Sequence, residues 1–271
     1  MPAAARLLAA LGLALAGTAP AVRAAEGTTR EAPSYSAASV VHAATSVAGP
    51  LSPNCIATIY GRNLAWTTRA LTQNDIRAQE LPTVMPGTGV RVMIADIAAH
   101  VYYVSPAQIN FLVPASLRPG IVRLYVAVDS LAGPEISVEV VEASPGLFHS
   151  EGGAVVGIHA SGDVLSADSP ARPGEVVVLY AAGLGQTNPL QRNGMLARTP
   201  APIGKLEEFR LLLNGAELPP ELIEYAGITP GFAGLYQINL RLPGDVPEDP
   251  TLQLRAGSRT SPETVRLPLR N

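Results

Sequence analysis

The chain has 271 residues, with 19 Lys+Arg against 22 Asp+Glu, a formal net charge of −3 and a single cysteine. The lack of a basic field argues against a nucleic-acid partner, and one thiol excludes an intramolecular disulfide framework or a cysteine-based zinc cluster. With 47% hydrophobic and 15% charged residues the chain can build a core, so disorder throughout is excluded as well.

Residues 1–24 read as an export signal. Arg6 supplies the positive start, and Leu7 to Ala16 form an apolar run too short for a bilayer core of about 30 Å. Val22 and Ala24 satisfy the small-residue rule for cleavage. No later apolar run reaches membrane-spanning length without breakers, so the expected location is secreted or extracytoplasmic, in the periplasm or at the cell surface. Residues 25–46 are small and polar and are expected to form a flexible lead-in.

From Cys55 onward the pattern is short β-type runs between Gly, Pro, Asn and Asp punctuation, in keeping with 25 Gly and 25 Pro. Ile56 to Tyr60 stops at Gly61-Arg62-Asn63-Leu64. Val90 to Ile94, Val101 to Val104, Gln108 to Val113, Ile121 to Val128 and Ile136 to Val141 follow, several with period-2 alternation. Arg69 to Glu80 is the nearest approach to a helical pattern and is expected to be a loop or short helix. The fold class is all-β.

An internal repeat organises these runs. Ile56-Ala57-Thr58-Ile59-Tyr60 is echoed by Val176-Val177-Val178-Leu179-Tyr180, and Gln108-Ile109-Asn110 by Gln237-Ile238-Asn239. The order is kept, with extra residues between the echoes in the second copy. Two units of about 100 residues with about seven short strands each match the size of an immunoglobulin-like sandwich. The expectation is two tandem immunoglobulin-like β-sandwiches, over residues 47–148 and 149–271.

The segments Asp168 to Gly185 and Ala226 to Asn239 resemble the uncharacterised C-terminal domain family of Solibacter-type bacterial secreted proteins. Ile59 to Leu64 and Tyr103 to Asn110 resemble the same family in the first half, and the likeness covers about residues 47–270. The first-half pattern is also similar, more weakly, to the opening of IPT/TIG immunoglobulin-like domains. The resemblance implies an exported β-rich module and carries no assigned activity.

Candidate site residues are few. On a strand, Gln108 and Asn110 share one face, as do Gln237 and Asn239, while the intervening isoleucines face the core. These amides either line a ligand face or bond to neighbouring backbone. Trp66, the only tryptophan, is either a sugar-stacking platform or a half-buried plug. Cys55 reads as a buried small hydrophobe, with an intermolecular disulfide as the alternative.

His159-Ala160-Ser161-Gly162-Asp163 has the composition of a triad but also of an ordinary turn. The four histidines, His42, His100, His149 and His159, show no metal-ligand spacing, and Asp163 and Asp168 lack a calcium-loop pattern. The expectation is therefore no catalytic centre, no metal and no cofactor. The sequence reads as a non-enzymatic binding or adhesion module whose partner is an extracellular protein or polysaccharide, with no nucleic acid. A structural or assembly subunit and a secreted hydrolase, or an accessory domain of one, are the alternatives. The binding surface is expected on the loops 66–86 and 187–207, which occupy equivalent places in the two units.

Overall fold

The structure, a computed structural model, describes residues 30–270, and the export signal expected over 1–24 lies outside them. The described residues contain no α-helix, only four single turns of 3-10 helix, and no helix among them is long and apolar enough to cross a membrane.

Unit 1 holds β1 (Val40–His42), β2 (Ile56–Tyr60), β3 (Arg69–Ala70), β4 (Val90–Ile94), β5 (Ile97–Val104), β6 (Gln108–Leu112), β7 (Gly120–Val128), β8 (Leu131–Ala132) and β9 (Ile136–Val140). One sheet runs β1-β2-β6-β5 and the other β5-β4-β7-β9, all antiparallel. The long β5 belongs to both: Ile97–Ala99 pair with β4, and from His100 the strand pairs with β6. This is the A-B-E-D and C-F-G arrangement of an immunoglobulin sandwich. Alternation in β4 shows how the sequence selects it. Val90, Val92 and Ile94 are fully buried while Arg91 between them is exposed, and each buried aliphatic contributes about 1.5–3 kcal/mol.

Unit 2 repeats the plan with β10 (Gly146–Leu147), β11 (Gly157–His159), β12 (Val176–Ala182), β13 (Ala201–Pro202), β14 (Phe209–Leu213), β15 (Ala216–Glu217), β16 (Ile223–Ile228), β17 (Tyr236–Arg241), β18 (Thr251–Ala256), β19 (Arg259–Thr260) and β20 (Val265–Arg266). β10 and β11 flank β12, which pairs with β17 and through it β16, while β15-β14-β18-β20 make the second sheet. The strand that is continuous in unit 1 is split here by Pro219-Pro220, which cannot supply ladder donors. Even the irregularities recur: a register shift lies between Val101 and Tyr103 in unit 1 and between Ile223 and Tyr225 in unit 2.

Two expectations are corrected. From residue 30 on, the flexible lead-in is part of unit 1. Ser34 bridges Arg62, and β1 pairs with β2 with Val40, Val41 and His42 buried. Its small residues hid a strand that is held by backbone pairing rather than by side-chain alternation. The unit boundary also falls earlier, because β10 pairs with β12 and Leu147 lies in the second core. The segment Arg69 to Glu80 forms β3 and a 3-10 turn over Gln73–Asp75, where the Asp75 carboxylate accepts the Thr72 N–H at 2.8 Å.

A third apolar cluster joins the units. Ile56 and Leu112 of unit 1 meet Phe148, Tyr180, Ala182, Ala233 and Leu235 of unit 2. Much of the unit 2 side comes from the hairpin between β16 and β17, which is longer than its counterpart Val104–Gln108. The Tyr102 hydroxyl donates to the Ala233 carbonyl, Asn54 Nδ2 donates to the Tyr236 hydroxyl at 3.3 Å, and that hydroxyl donates to the Gly185 carbonyl. At Gly234, with φ +68°, a Cβ would come within 2.3 Å of Leu112 Cδ1, so only glycine lets the hairpin dock this closely.

Candidate functional site

The two units enclose a cleft of about 930 Å3. One wall comes from unit 1 and the connecting chain, with Leu117, Arg118 and Glu142. The other comes from unit 2, with Leu190, Lys205 and Arg259. The position is the usual one for a ligand site, at a domain junction where two rigid scaffolds present loops.

The charges in the cleft are unevenly matched. Lys205 Nζ lies 2.6 Å from Glu142 Oε2 and 3.8 Å from Glu208 Oε1, and the hydrogen bond to Glu142 followed by both carboxylate fields raises its pKa. Arg259 reaches Glu139 at 3.6 Å. Arg118 is exposed and has no ion-pair partner among the described residues. One large apolar side chain of the lining stands out: Leu190 is 68% exposed. No aromatic ring lines the cleft.

The two loops expected to bind a partner instead bind each other over part of their length. The Leu81 N–H donates to the Gly194 carbonyl at 3.0 Å, the Leu196 N–H to the Gln79 carbonyl at 2.8 Å, and Glu80 bridges Met195. Those stretches of 66–86 and 187–207 are therefore closed to a ligand, and Thr187, Leu190 and Ile203–Lys205 remain on the cleft. Backbone pairing of this kind leaves no side-chain signature in a sequence.

The amide pairs are placed as the strand spacing requires. Gln108 Nε2 donates to Asn110 Oδ1 at 2.9 Å, and Gln237 Nε2 to Asn239 Oδ1 at 3.0 Å, the same contact in both units. Thr58 Oγ1 also donates to Asn110 Oδ1 at 3.0 Å. Gln108 and Asn110 are buried, and Gln237 and Asn239 are half-buried. Trp66 packs on the unit 1 core and donates from Nε1 to Asp129 Oδ2 at 3.0 Å, with the Arg30 guanidinium 5.1 Å from its ring centre. None of these five residues lines the cleft. Cys55 is fully buried, and burial pushes its thiol pKa up to about 12, so it is a packing residue without thiolate character.

The cluster around His159 is not the one its local sequence suggests. Ser161 Oγ donates to Asp163 Oδ2 at 3.0 Å within the turn. His159 instead places Nδ1 2.5 Å from Glu175 Oε1, and Nε2 3.2 Å from Ser169 Oγ and 3.1 Å from the Ser169 carbonyl. Ser169 and Glu175 come from the loop before β12 and from its last residue, and neither was singled out from sequence. Among the described residues no group of three or more His, Cys, Asp or Glu is placed to hold a metal ion.

No family model and no curated protein matches the chain. Solved structures do align with it. A Bacteroides ovatus surface glycan-binding protein, SGBP-B from a mixed-linkage glucan utilization locus in complex with a mixed-linkage heptasaccharide, is 12% identical with a TM-score of 0.31, over 92% of this chain and 45% of that one. The Prevotella bryantii surface glycan-binding protein PbSGBP-B is 13% identical with a TM-score of 0.26, over 88% and 38%. The tandem immunoglobulin repeats of Dlar are 10% identical with a TM-score of 0.22, over 89% and 95%. The chain spans less than half of either glycan-binding protein, and at these TM-scores no ligand passes from them to this chain.

Proposed function

We propose that this chain is an exported, non-enzymatic binding module of the cell surface or extracellular space, and that its ligand sits in the cleft between the two units. The observation that carries this reading is the cleft itself: about 930 Å3, walled by both units, with the exposed Leu190 and with Arg118, which has no ion-pair partner among the described residues. A docked pair of sandwiches supplies a preformed site, which lowers the ordering cost of binding.

The test is co-sedimentation of mature protein with envelope fractions of its own host. Saturable binding that falls at least tenfold in Leu190→Asp and Arg118→Glu supports the reading. Binding unchanged in both variants, or absent from every fraction, overturns it and shifts the weight to a structural or assembly subunit.

A second reading, hydrolysis, has one observation in its favour: Ser169, His159 and Glu175 lie in nucleophile–base–carboxylate order. Against it, His159 Nε2 is as close to the Ser169 carbonyl as to the hydroxyl, and none of the three residues lines the cleft. The arrangement fastens the 160–175 loop to β11. Labelling of Ser169 by a fluorophosphonate probe, lost in His159→Ala, would establish the hydrolase instead.

A further inference from the structure

Resting on the cleft as the binding site, we infer that its occupant is an extended polypeptide segment of another protein, with an acidic side chain flanked by aliphatic ones. Three independent features point to this chemistry.

The first is charge. Of the three cations on the cleft, Lys205 is held by Glu142 and Glu208 and Arg259 faces Glu139, while Arg118 has no acid partner among the described residues. An incoming carboxylate satisfies Arg118 with a two-point hydrogen-bonded ion pair that a neutral group cannot make.

The second is the distribution of exposed apolar side chains. Six large hydrophobic residues stand exposed among those described, and three of them (Leu190, Leu206 and Ile121) lie on the cleft or within two residues of a cleft-lining position. Leu190 lines the cleft itself and offers an apolar contact to a partner there. Aliphatic side chains of a peptide meet that contact.

The third is what the walls are made of. Carbohydrate is commonly held on aromatic rings, and the walls carry none; between their charged and polar side chains lie Gly185, Gly204, Gly257, Ala143, Ala256 and aliphatic residues. Glycine and alanine walls let a main chain approach closely, which suits an extended backbone.

Selection of a random 12-residue peptide library displayed on phage, against immobilised mature protein, tests the inference. Enriched peptides are expected to carry Asp or Glu between aliphatic residues. Synthesised with a fluorescent label, they are expected to bind about tenfold more weakly to Arg118→Glu and to Leu190→Asp, which corresponds to about 1.4 kcal/mol. Both positions are exposed, so both variants are expected to keep the wild-type midpoint in urea. Enrichment of basic or aromatic peptides, no enrichment over a parallel selection on the variant that combines Arg118→Glu and Leu190→Asp, or equal affinity for wild type and both single variants overturns the inference. A mixed-linkage glucan oligosaccharide titrated in parallel must show no cleft-dependent binding; if it does, the occupant is a glycan. Envelope binding that depends on the cleft while no peptide is enriched would sink the polypeptide assignment and leave the binding site standing. Envelope binding that ignores the cleft would sink both.

Discussion

Acid should loosen the junction between the units, and His42 sets how much. The ring is 5% exposed and sits where β1, the connecting chain and β12 meet. Nδ1 accepts the Ala44 N–H at 3.2 Å, so the proton is on Nε2, which makes no hydrogen bond of its own. A Cβ on Gly183 would lie 2.7 Å from Nε2, and one on Gly146 would lie 2.6 Å from the ring, so both glycines of unit 2 close over it. Burial lowers the pKa from 6.5 to about 4, and the nearby Ser144 and Ala182 backbone only partly offsets that. Arg259, on the hollow that His42 also borders, adds no attraction for a second positive charge.

The sign follows from linkage. Below pH 6.5 the unfolded chain takes up a proton that the folded chain refuses until about pH 4. The stabilisation is therefore fully present above 6.5 and is lost as the pH falls from 6.5 to about 4. At pH 4.5 the loss relative to pH 7.5 amounts to about 2.5 kcal/mol from this residue alone. Urea unfolding of wild type and His42→Gln at both pH values measures it, and the variant should lose about 2.5 kcal/mol less between them. Equal losses in the two proteins would refute the assignment. His100, 3% exposed at the same junction beneath Gly194, has its pKa lowered by burial against the opposing pull of Glu80 and acts in the same direction.

Two further outcomes follow from the packing. Gly234→Ala forces a Cβ to within 2.3 Å of Leu112 Cδ1 at a positive φ, and should cost about 2 kcal/mol or more by urea unfolding and expose the 141–145 connection to limited proteolysis. Asn110→Leu removes the acceptor shared by Gln108 Nε2 and Thr58 Oγ1, and should cost about 2–4 kcal/mol in the same assay, since two buried donors lose a shared acceptor. A cost below 1 kcal/mol would mean that these donors find other acceptors.

The sandwich plan was legible in the sequence wherever side chains carry it. The echoes at β2 and β12, and at β6 and β17, show because inward positions must be apolar and outward ones need not be. Other equivalences did not show, because they conserve backbone conformation and not residue type. Ala95-Asp96 joins β4 to β5 and Asn214-Gly215 joins β14 to β15, each pair with two positive φ values and no identity between them. Asp129 after β7 and Gly257 after β18 likewise share a left-handed φ near +55°. The cleft was invisible for a related reason. Its walls come from short stretches scattered between Pro53 and Arg259, and no local pattern marks residues brought together only by docking.

The docking rests on a feature that the two units do not share. Both units turn the outer face of the sheet containing β2 or β12 toward the junction, with Ile56 and Leu112 on one side and Tyr180 and Ala182 on the other. The turn between β5 and β6 in unit 1 is shorter than the hairpin between β16 and β17 in unit 2. The longer unit 2 hairpin places Ala233, Gly234 and Leu235 against Leu112 and lets Tyr236 contact Asn54 and Gly185. Part of the unequal spacing between the two echoes therefore lies in this hairpin, which clamps the units together. By fixing Gly185 from the clamp side, it also fixes one wall of the cleft. Shortening the hairpin is for that reason expected to abolish the binding proposed for the cleft, read by the same co-sedimentation, even with every cleft-lining side chain intact.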